Sequence, residues 1–410
     1  MLVEFRVDNH RSIRDEHGLT MEASNVSGDV SRVRDVADLK LLPVAALYGA
    51  NASGKTNVLA AIQFMRDAVA WSDRLWPPDQ GVPREAFAWG KKRSDPSLFQ
   101  ATFILSGVKH EYGFVVDDER VVEEWLKTWP NGRVQTWYTR DGQSFDFGER
   151  LHGENRAVEK LTRPNALFLS AAAQSNHKQL SVIYRWFRGI LGHVAPERMV
   201  ALMADGPARW FAEDAQGDLL QQESIQSFLS MLKTTDIGVV DIKVTSDDGG
   251  APQRGRPRRI LLKHRGPSDD AWLPLEQESH GTRRLFRLGP RVIHALQHGG
   301  IVIIDELEAG FHPLLALEIV RAFHDPKKNP KNAQLLFTTH DTNLLGTVVG
   351  DPVLRRDQVW LTEKDESGGT RFYPLTDYQP RKSENLERGY LQGRYGAIPF
   401  LGNLAWTEKP

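Results

Sequence analysis

Cysteine is absent from the 410-residue chain, and methionine occurs only 6 times. Without thiols the protein has no disulfide framework, no thiolate metal site and no cysteine nucleophile, which is typical of a cytosolic protein. The sequence also lacks any run of about 18 apolar residues, so it predicts no helix that spans a membrane. Residues 1–6 contain charges and no apolar signal segment. We therefore expect a cytoplasmic protein that does not bind a membrane.

An excess of charge of either sign is also missing, because 52 Lys and Arg residues balance 53 Asp and Glu residues and leave a net charge of −1. No global field therefore favours nucleic acid as a partner. One local stretch is basic, and two interpretations of it remain open. It either contacts nucleic-acid phosphates or forms the solvated face of a hairpin beside acidic residues. The basic residues are Arg254, Arg256, Arg258, Arg259, Lys263, His264 and Arg265, and the acidic ones are Asp247, Asp248, Asp269 and Asp270.

The most specific motif is the stretch 49–56, which reads GANASGKT and fits the phosphate-binding pattern G-x-x-x-x-G-K-[ST]. An apolar run at 44–48 predicts a buried strand before it, and apolar residues at helical spacing predict a helix after it. The glycines let backbone N–H groups face a β-phosphate at the positive end of that helix. Lys55 is expected to reach the β- and γ-phosphates, and Thr56 to offer its hydroxyl to Mg²⁺. The nucleotide-binding residues predicted in this loop are Asn51, Gly54, Lys55 and Thr56.

A second apolar run, residues 301–304, ends in two carboxylates, Asp305 and Glu306. The carboxyl end of a strand is where an open α/β sheet places groups that contact a ligand. We expect Asp305 to hold Mg²⁺ through water and Glu306 to polarise the water that attacks the γ-phosphate. The alternative is a strand that simply ends in two solvated acids.

Residues 335–337 are another apolar run, and His340 follows near the carboxyl end of the strand that this run predicts. A histidine at this place can hydrogen-bond a γ-phosphate or the attacking water. Alternatively, the segment caps the next helix through Asp341.

The segment 278–283 places Ser279 and Gly281 before a predicted helix. A small hydroxyl residue and a glycine at a helix N-terminus can make an anion site. Because Lys55 already serves the phosphates within one subunit, a second anion site suggests the nucleotide of a second subunit. A plain helix N-cap is the alternative.

The middle of the chain has a different pattern. Residues 87–147 contain β-favouring segments separated by turn signals, which predicts an antiparallel meander, whereas residues 155–235 are mostly helical. The expected fold is an α/β P-loop NTPase in which both motif-bearing ends build one sheet. We expect an N-terminal ATPase lobe at 1–80, an inserted antiparallel β layer with a helical subdomain at 81–275, and a C-terminal ATPase lobe at 276–410.

Taken in order, these motifs resemble the ABC-type ATPase heads of the RecF, SMC and OLD group. The opening stretch 7–13 (VDNHRSI) is similar to the N-x-[RK]-S strand-turn of compact ATPases from bacterial anti-phage and abortive-infection systems of the RloA, AbiL and PARIS type. The stretch 390–399 (YLQGRYGAIP) is similar to the same subgroup. The resemblance is thin between 75 and 275, and His280 stands where the signature commonly has a small residue. The motifs that carry it are the phosphate loop, Ser279-His280-Gly281-Thr282, Asp305-Glu306, residues 308–313 (EAGFHP) and Thr339-His340-Asp341.

The resemblance implies an ABC/SMC-head-like mixed sheet and head-to-head dimers. Two ATP molecules would lie between the Walker A loop of one subunit and the signature, with Ser279 and Gly281, of the other. It also implies that residues 308–312 form the D-loop, that Arg11 lies near the nucleotide and that a Q-loop glutamine is present. Gln174 is the candidate for that glutamine, although a surface helix cap explains it equally well. With Glu306 and His340 as catalytic residues, the implied cofactors are ATP and Mg²⁺.

The function predicted from the sequence is an ATPase that works at a dimer interface and controls a separate effector, such as a nuclease or toxin, in anti-phage defence. One alternative is a RecF-like DNA-repair ATPase that clamps DNA, and another is an ATP-gated scaffold with little turnover. The chain contains no long coiled coil, so the middle region is not expected to act as an SMC arm.

Overall fold

The computed structural model describes residues 1–24, 29–192, 219–234, 238–246, 258–266, 271–346, 350–379 and 384–399. The chain forms two compact units, Met1–Arg188 with Leu336–Pro410 (unit 1) and Gly189–Leu335 (unit 2). Within the described ranges, no helix has the length and apolar character needed to cross a membrane. Part of the basic stretch and its acidic neighbours lie outside the described residues, namely Arg254, Arg256, Asp247, Asp248, Asp269 and Asp270.

Unit 1 contains a seven-stranded antiparallel sheet. Strand β1 (Leu2–Asp8) pairs with β2 (His17–Thr20) on one side and with β6 (Ser97–Leu105) on the other. From β6 the chain runs back and forth, so that the sheet has the order β10-β9-β8-β7-β6-β1-β2. The predicted meander is confirmed, and it includes a strand at 121–129 that the sequence did not single out. The remaining strands of the meander are β7 (Val108–Val116), β8 (Val121–Trp129), β9 (Gln135–Asp141) and β10 (Ser144–Phe147).

Cross-strand pairs of aromatic and apolar residues stabilise this sheet. Phe99 lies opposite Phe114 in the register of β6 and β7, with ring centroids 5.4 Å apart, and both side chains are fully buried. Facing aromatic pairs on neighbouring strands contribute stability beyond the area that they bury. The Phe99–Phe114 pair therefore stabilises the contact between β6 and β7.

The buried carboxylate of Glu124 on β8 pairs with Arg140 on β9 and joins this sheet to a short helix, α3 (Phe168–Gln174). The carboxylate of Glu124 lies 3.4 Å from the guanidinium of Arg140, and both side chains are wholly buried. Glu124 also accepts hydrogen bonds from the backbone N–H of Phe168 at 2.7 Å and from the hydroxyl of Tyr138 at 2.7 Å. The carboxylate thus satisfies an N–H group at the start of α3 that has no partner inside the helix.

A second group of strands in unit 1 carries the phosphate loop. Strand β5 (Val44–Gly49) is buried along its whole length. It lies between β17 (Val359–Lys364) and β16 (Gln334–Thr338), of which residues 336–338 belong to unit 1. β17 is parallel to β5, and β18 (Thr370–Pro374) returns antiparallel to β17. The unit also contains β3 (Arg34–Val36), β4 (Leu39–Leu41), α1 (Lys55–Leu75), α2 (Asn155–Leu161), α4 (Lys178–Arg188) and α8 (Leu386–Leu391).

Unit 2 combines a parallel strand pair with helices and a small sheet. β11 (Ile190–Gly192) is parallel to β15 (Ile301–Ile304). Helix α5 (Leu219–Thr234) packs on α6 (His280–His298), where the rings of Phe228 and Phe286 meet edge to face at 5.2 Å. The other elements are α7 (Pro313–His324) and an antiparallel sheet of β12 (Val239–Ser246), β13 (Arg258–His264) and β14 (Trp272–Pro274).

The mixed α/β fold predicted from the sequence is confirmed, but the compact units are divided at other positions than the predicted lobes. Residues 97–147 do not form a layer apart from the first 80 residues, because β6 hydrogen-bonds along the length of β1. The N-terminal strand and the meander therefore share one sheet within unit 1.

Candidate functional site

The phosphate loop connects β5 to α1. The loop turns through two left-handed positions, Ala52 with φ of 63° and Gly54 with φ of 105°, and Gly54 is the N-cap of a 21-residue helix. Only glycine adopts the second conformation without strain. The loop therefore presents backbone N–H groups at the positive end of a long helix, which favours a phosphate.

The side chain of Lys55 is folded into the loop. Its ammonium group donates to the carbonyl oxygens of Gly49 at 2.9 Å and Ala50 at 3.0 Å, and the residue is only 6% exposed. A buried cation is favourable only with such partners. Because the lysine is anchored at both carbonyls, its charge lies beside the loop, where phosphate oxygens would be held.

Two threonines of the β17–β18 hairpin lie against the two motif glycines. A Cβ atom added to Gly49 would meet the hydroxyl oxygen of Thr362 at 2.3 Å, and one added to Gly54 would meet that of Thr370 at 2.1 Å. Real side chains do not approach so closely, so both positions require glycine for space as well as for conformation. The sequence motif predicted the glycines but gave no sign of the threonines opposite them.

His340 follows β16 in unit 1 and is exposed. Its neighbours are fixed beside β5, since the Thr339 N–H donates to the Leu47 carbonyl at 3.1 Å and the Tyr48 hydroxyl donates to the Asp341 carbonyl at 3.0 Å. The structure therefore places His340 next to the strand that enters the phosphate loop. Asp341 also accepts from the Asn343 N–H at 2.9 Å, as expected for the capping role that the sequence left open.

Arg11 lies in a strained turn after β1, with φ of 51°. Its guanidinium pairs with Glu85 at 2.9 Å, and its backbone N–H donates to the Glu85 carbonyl at 2.6 Å. The next residue, Ser12, accepts a hydrogen bond at 2.6 Å from Asn57 in the first turn of α1. The turn is thus attached to the helix that the phosphate loop opens.

Gln174 is not brought to the phosphate loop. It ends α3 and donates at 3.3 Å to the hydroxyl of Tyr184, which in turn donates to the carbonyl of Ala70. Ala70 lies fifteen residues beyond Lys55 along α1, which corresponds to about 22 Å of helix. The contacts of Gln174 are those of a residue that joins three helices.

The paired carboxylates lie in unit 2, directly after the fully buried strand β15. Asp305 is half-buried and Glu306 is exposed. Glu306 has φ of 50°, a left-handed conformation that is unfavourable for glutamate. Such strain is concentrated at functional sites. The backbone conformation of Glu306 is therefore evidence for a functional role that the sequence alone does not provide.

Arg284 on α6 supports this strand end. Its guanidinium donates to the backbone carbonyls of both Asp305 and Glu306 and lies 5.6 Å from the centre of the Phe311 ring. Burial lowers the pKa of Arg284 below the usual value for arginine, and the nearby carboxylates of Glu306 and Glu308 offset part of this decrease. Sequence reasoning missed this residue, because nothing in its local pattern distinguishes it from the neighbouring arginines.

Ser279 is the N-cap of α6 and is exposed. Its hydroxyl accepts a hydrogen bond from the Thr282 N–H at 3.1 Å. Two residues on, a Cβ atom at Gly281 would lie 2.4 Å from the carbonyl oxygen of Gly310, so the close approach of the 308–313 segment requires glycine. Within unit 2, the signature and the segment expected to be a D-loop are therefore in contact.

The phosphate loop of unit 1 fits the phosphates of a nucleotide, and each unit contains an oxygen ligand of the kind that Mg²⁺ accepts. The loop supplies N–H groups and a lysine in unit 1, and the hydroxyl of Thr56 opens α1. Asp305 supplies a carboxylate in unit 2. Hydroxyl and carboxylate oxygens are the protein ligands that Mg²⁺ prefers, usually together with phosphates and water.

A family model described as "AAA domain, putative AbiEii toxin, Type IV TA system" matches residues 44–346, which is most of the chain. The matched region contains the phosphate loop, Ser279, Glu306 and His340 but not Arg11. No curated protein matches the sequence.

Solved structures of SMC heads are similar to the chain at low identity. The SMC head domain from Thermotoga maritima is 13% identical, with 91% of this chain and 98% of that chain covered and a TM-score of 0.39. An Smc head domain with an extended coiled coil, bound to the C-terminal domain of ScpA derived from Pyrococcus furiosus, is 12% identical, with 92% and 97% covered and a TM-score of 0.39.

Proposed function

The chain belongs to this AAA-domain family and is an ATPase, and on that premise we propose that it is of the ABC/SMC-like kind, hydrolyses ATP at a homodimer interface and controls a separate effector in anti-phage defence. The observation that carries the proposal is the phosphate loop, in which Gly54 caps α1 and the buried Lys55 is anchored at the loop carbonyls. The anti-phage role, of the RloA, AbiL and PARIS type, rests on the resemblance of the two chain ends.

In unit 1 the loop residues bind the nucleotide. The N–H groups around Asn51 and Gly54 hold the β-phosphate, and Lys55 neutralises charge on the β- and γ-phosphates. His340, next to β5, donates to the γ-phosphate or orients the attacking water. Arg11 acts at the edge of the nucleotide, where Ser12 joins its turn to α1, whereas the contacts of Gln174 favour a structural role.

In unit 2 the carboxylate of Glu306 accepts a proton from the attacking water and aligns it with the γ-phosphate. Positioning of this kind supplies most of the catalysis in phosphoryl transfer. Thr56 and Asp305 are the residues that would hold Mg²⁺, which would neutralise charge on the phosphates. The strained backbone of Glu306 supports its assignment.

Ser279 and Gly281 act on the nucleotide of the partner subunit. Ser279 is exposed at the start of a 19-residue helix, so a phosphate from another molecule has access to the N-terminal N–H groups. Closure of two heads around two ATP molecules would then present a new surface to the effector, and hydrolysis would remove it.

Mixing two inactive variants tests this arrangement. Ser279→Arg should block the composite site that contains the substituted signature, and Glu306→Gln should remove the catalytic base. A heterodimer of the two retains one complete composite site, with the intact signature of one chain opposite the intact Glu306 of the other. We expect the mixture to recover ATPase activity that neither variant has alone. Ser230→Arg, which places the same charge at an exposed serine of α5, should leave activity unchanged.

Normal turnover by Ser279→Arg alone would exclude the role in trans. Absence of recovery, with heterodimers demonstrated by native mass measurement, would contradict independent composite sites.

The effector role needs an assay in cells. Bacteria that carry the gene with its natural neighbours should restrict phage plating, and Glu306→Gln should abolish the protection. Strong, salt-dependent DNA binding by the isolated ATPase would instead favour the RecF-like alternative.

A further inference from the structure

Ser53 lies in the phosphate loop between two threonines of the β17–β18 hairpin. Its hydroxyl is 2.6 Å from the hydroxyl of Thr362, and its carbonyl accepts from the hydroxyl of Thr370 at 2.9 Å. Ser53 is 4% exposed, Thr362 is fully buried and Thr370 is 1% exposed. The serine is therefore held at both its side chain and its backbone by one hairpin.

The direction of the first pair of hydrogen bonds follows from the partners. The hydroxyl of Thr362 donates to the carbonyl of Tyr48 at 3.1 Å. Since a hydroxyl has a single proton, Ser53 must donate to Thr362. This relay connects the middle of the loop to the last residues of β5.

The second relay is longer and its direction is equally determined. Thr370 uses its proton on the Ser53 carbonyl, so the 2.7 Å contact between Ser12 and Thr370 must be donated by Ser12. The Ser12 hydroxyl in turn accepts from the side-chain amide of Asn57 at 2.6 Å. Protons thus point in one direction from Asn57 through Ser12 and Thr370 to the loop carbonyl.

A backbone contact and a packing contact add to this relay. The Thr370 N–H donates to the Ser12 carbonyl at 2.6 Å, and Thr370 occupies the space that a side chain at Gly54 would need. Hydroxyl, backbone and packing contacts therefore fix Ser53, the residue before the helix N-cap Gly54. The position of Ser53 sets the spacing of the N–H groups that would bind phosphate.

We propose that Thr362 and Thr370 are positioning residues for ATP, which hold Ser53 so that the loop N–H groups and Lys55 match the phosphates. The inference rests on the proposed nucleotide site. It assigns to the β17–β18 hairpin and to the Ser12 turn a role in ATP affinity rather than in the chemical step.

Thr370→Val tests the proposal, because valine keeps the shape and removes the proton donor. Leaving the Ser53 carbonyl buried without a donor should raise the KM for ATP and the dissociation constant from calorimetry by about tenfold, while kcat should change by less than about threefold. Thr370→Ser, which restores the hydroxyl, should recover most of the affinity. Thr162→Val is the matched control, since Thr162 is also buried and donates to a backbone carbonyl, that of Val158 at 2.8 Å, outside the loop.

The direction of the relay gives a second test. Ser12→Ala leaves the Thr370 donor intact and should weaken ATP binding less than Thr370→Val, and the double variant should bind no worse than Thr370→Val alone. A larger effect of Ser12→Ala would overturn the assigned direction. Equal ATP affinity in wild-type protein and Thr370→Val would overturn the positioning role, whereas wild-type protein that binds no ATP would refute the proposed function itself.

Discussion

The guanidinium of Arg284 donates hydrogen bonds to the backbone carbonyls of Glu306 and Asp305, the latter at 2.9 Å. One arginine, five residues after the Ser279 N-cap, thus holds the end of β15 in unit 2. Because Glu306 has a left-handed backbone, which costs of the order of 1 kcal/mol or more, the two hydrogen bonds stabilise a conformation that the strand end would not adopt alone.

Arg284→Met should therefore lower turnover more than ATP binding. Without the guanidinium, the Glu306 backbone can relax and misplace its carboxylate, and a misplacement of about 1 Å can reduce a rate by about a hundredfold. Steady-state kinetics and calorimetry measure the two effects. Arg287→Met, at an exposed arginine of the same helix, is the control, and an equal loss of activity in both variants would contradict the role of Arg284.

Glu306→Gln should retain ATP binding and reduce kcat by at least about a hundredfold, the scale expected for loss of a general base. The amide preserves the shape and one acceptor oxygen but does not accept the proton. Phosphate release measures turnover, and Glu318→Gln, at an exposed residue of α7, should behave as wild type. Turnover at the wild-type rate in Glu306→Gln would show that another group activates the water.

Lys55→Ala should abolish tight ATP binding, because the loop then loses its only buried ammonium group among the described residues of 49–56. Calorimetric titration with ATP measures the loss. The exposed Lys40 offers a control for removal of one positive charge, and Lys40→Ala should bind as wild type does. Retained affinity in Lys55→Ala would refute the assignment of the loop.

Arg140→Met should destabilise the protein by about 3 kcal/mol or more, because it leaves the Glu124 carboxylate buried without its cation. Chemical denaturation monitored by tryptophan fluorescence measures the change in the free energy of unfolding. Arg156→Met removes a largely exposed arginine that pairs with Glu159, and it should cost less than about 1 kcal/mol. Equal effects would mean that the Glu124–Arg140 pair contributes no more than a surface pair.

Because of His10, the free energy of unfolding should decrease as the pH is lowered past about 6.5. The ring is buried against Phe64 and Phe99, and burial lowers its pKa from 6.5 to about 3. Between these values the unfolded chain binds a proton that the folded chain does not, so acid favours unfolding. From pH 7 to pH 5 the free energy of unfolding should fall by about 2 kcal/mol more in wild type than in His10→Phe. Parallel pH dependence of the two would contradict a neutral His10.

The elements that the sequence predicted best are those with a pattern in consecutive residues. The buried strands β5 and β15 appeared as apolar runs, and the phosphate loop appeared as a spacing of glycines and lysine. β8 was missed because its buried positions alternate with partly exposed ones and because its nine residues mix charged and aromatic side chains. The division into lobes failed to anticipate the pairing of β1 with β6, because hydrogen bonds between residues about 95 positions apart leave no local pattern.

The supporting residues of the site could not be predicted in the same way. Thr362, Thr370 and Ser12 are common residues whose importance comes from hydrogen bonds to distant parts of the chain. The left-handed backbone conformation of Glu306 cannot be predicted from its residue type. Gln174 shows the converse, since the candidate for the Q-loop glutamine donates to Tyr184 of α4, whose hydroxyl in turn donates to Ala70 far from the phosphate loop.

The position of β1 inside the seven-stranded sheet has a consequence for how the protein can be shortened. Because β1 separates β2 from β6, a product that begins after Asp8 would leave the flank of β6 with unpaired N–H and C=O groups. An open edge of this length, rich in apolar residues, is a template for pairing between chains. Truncation from the N-terminus would therefore expose an aggregation-prone strand edge before it removed a single residue of the phosphate loop.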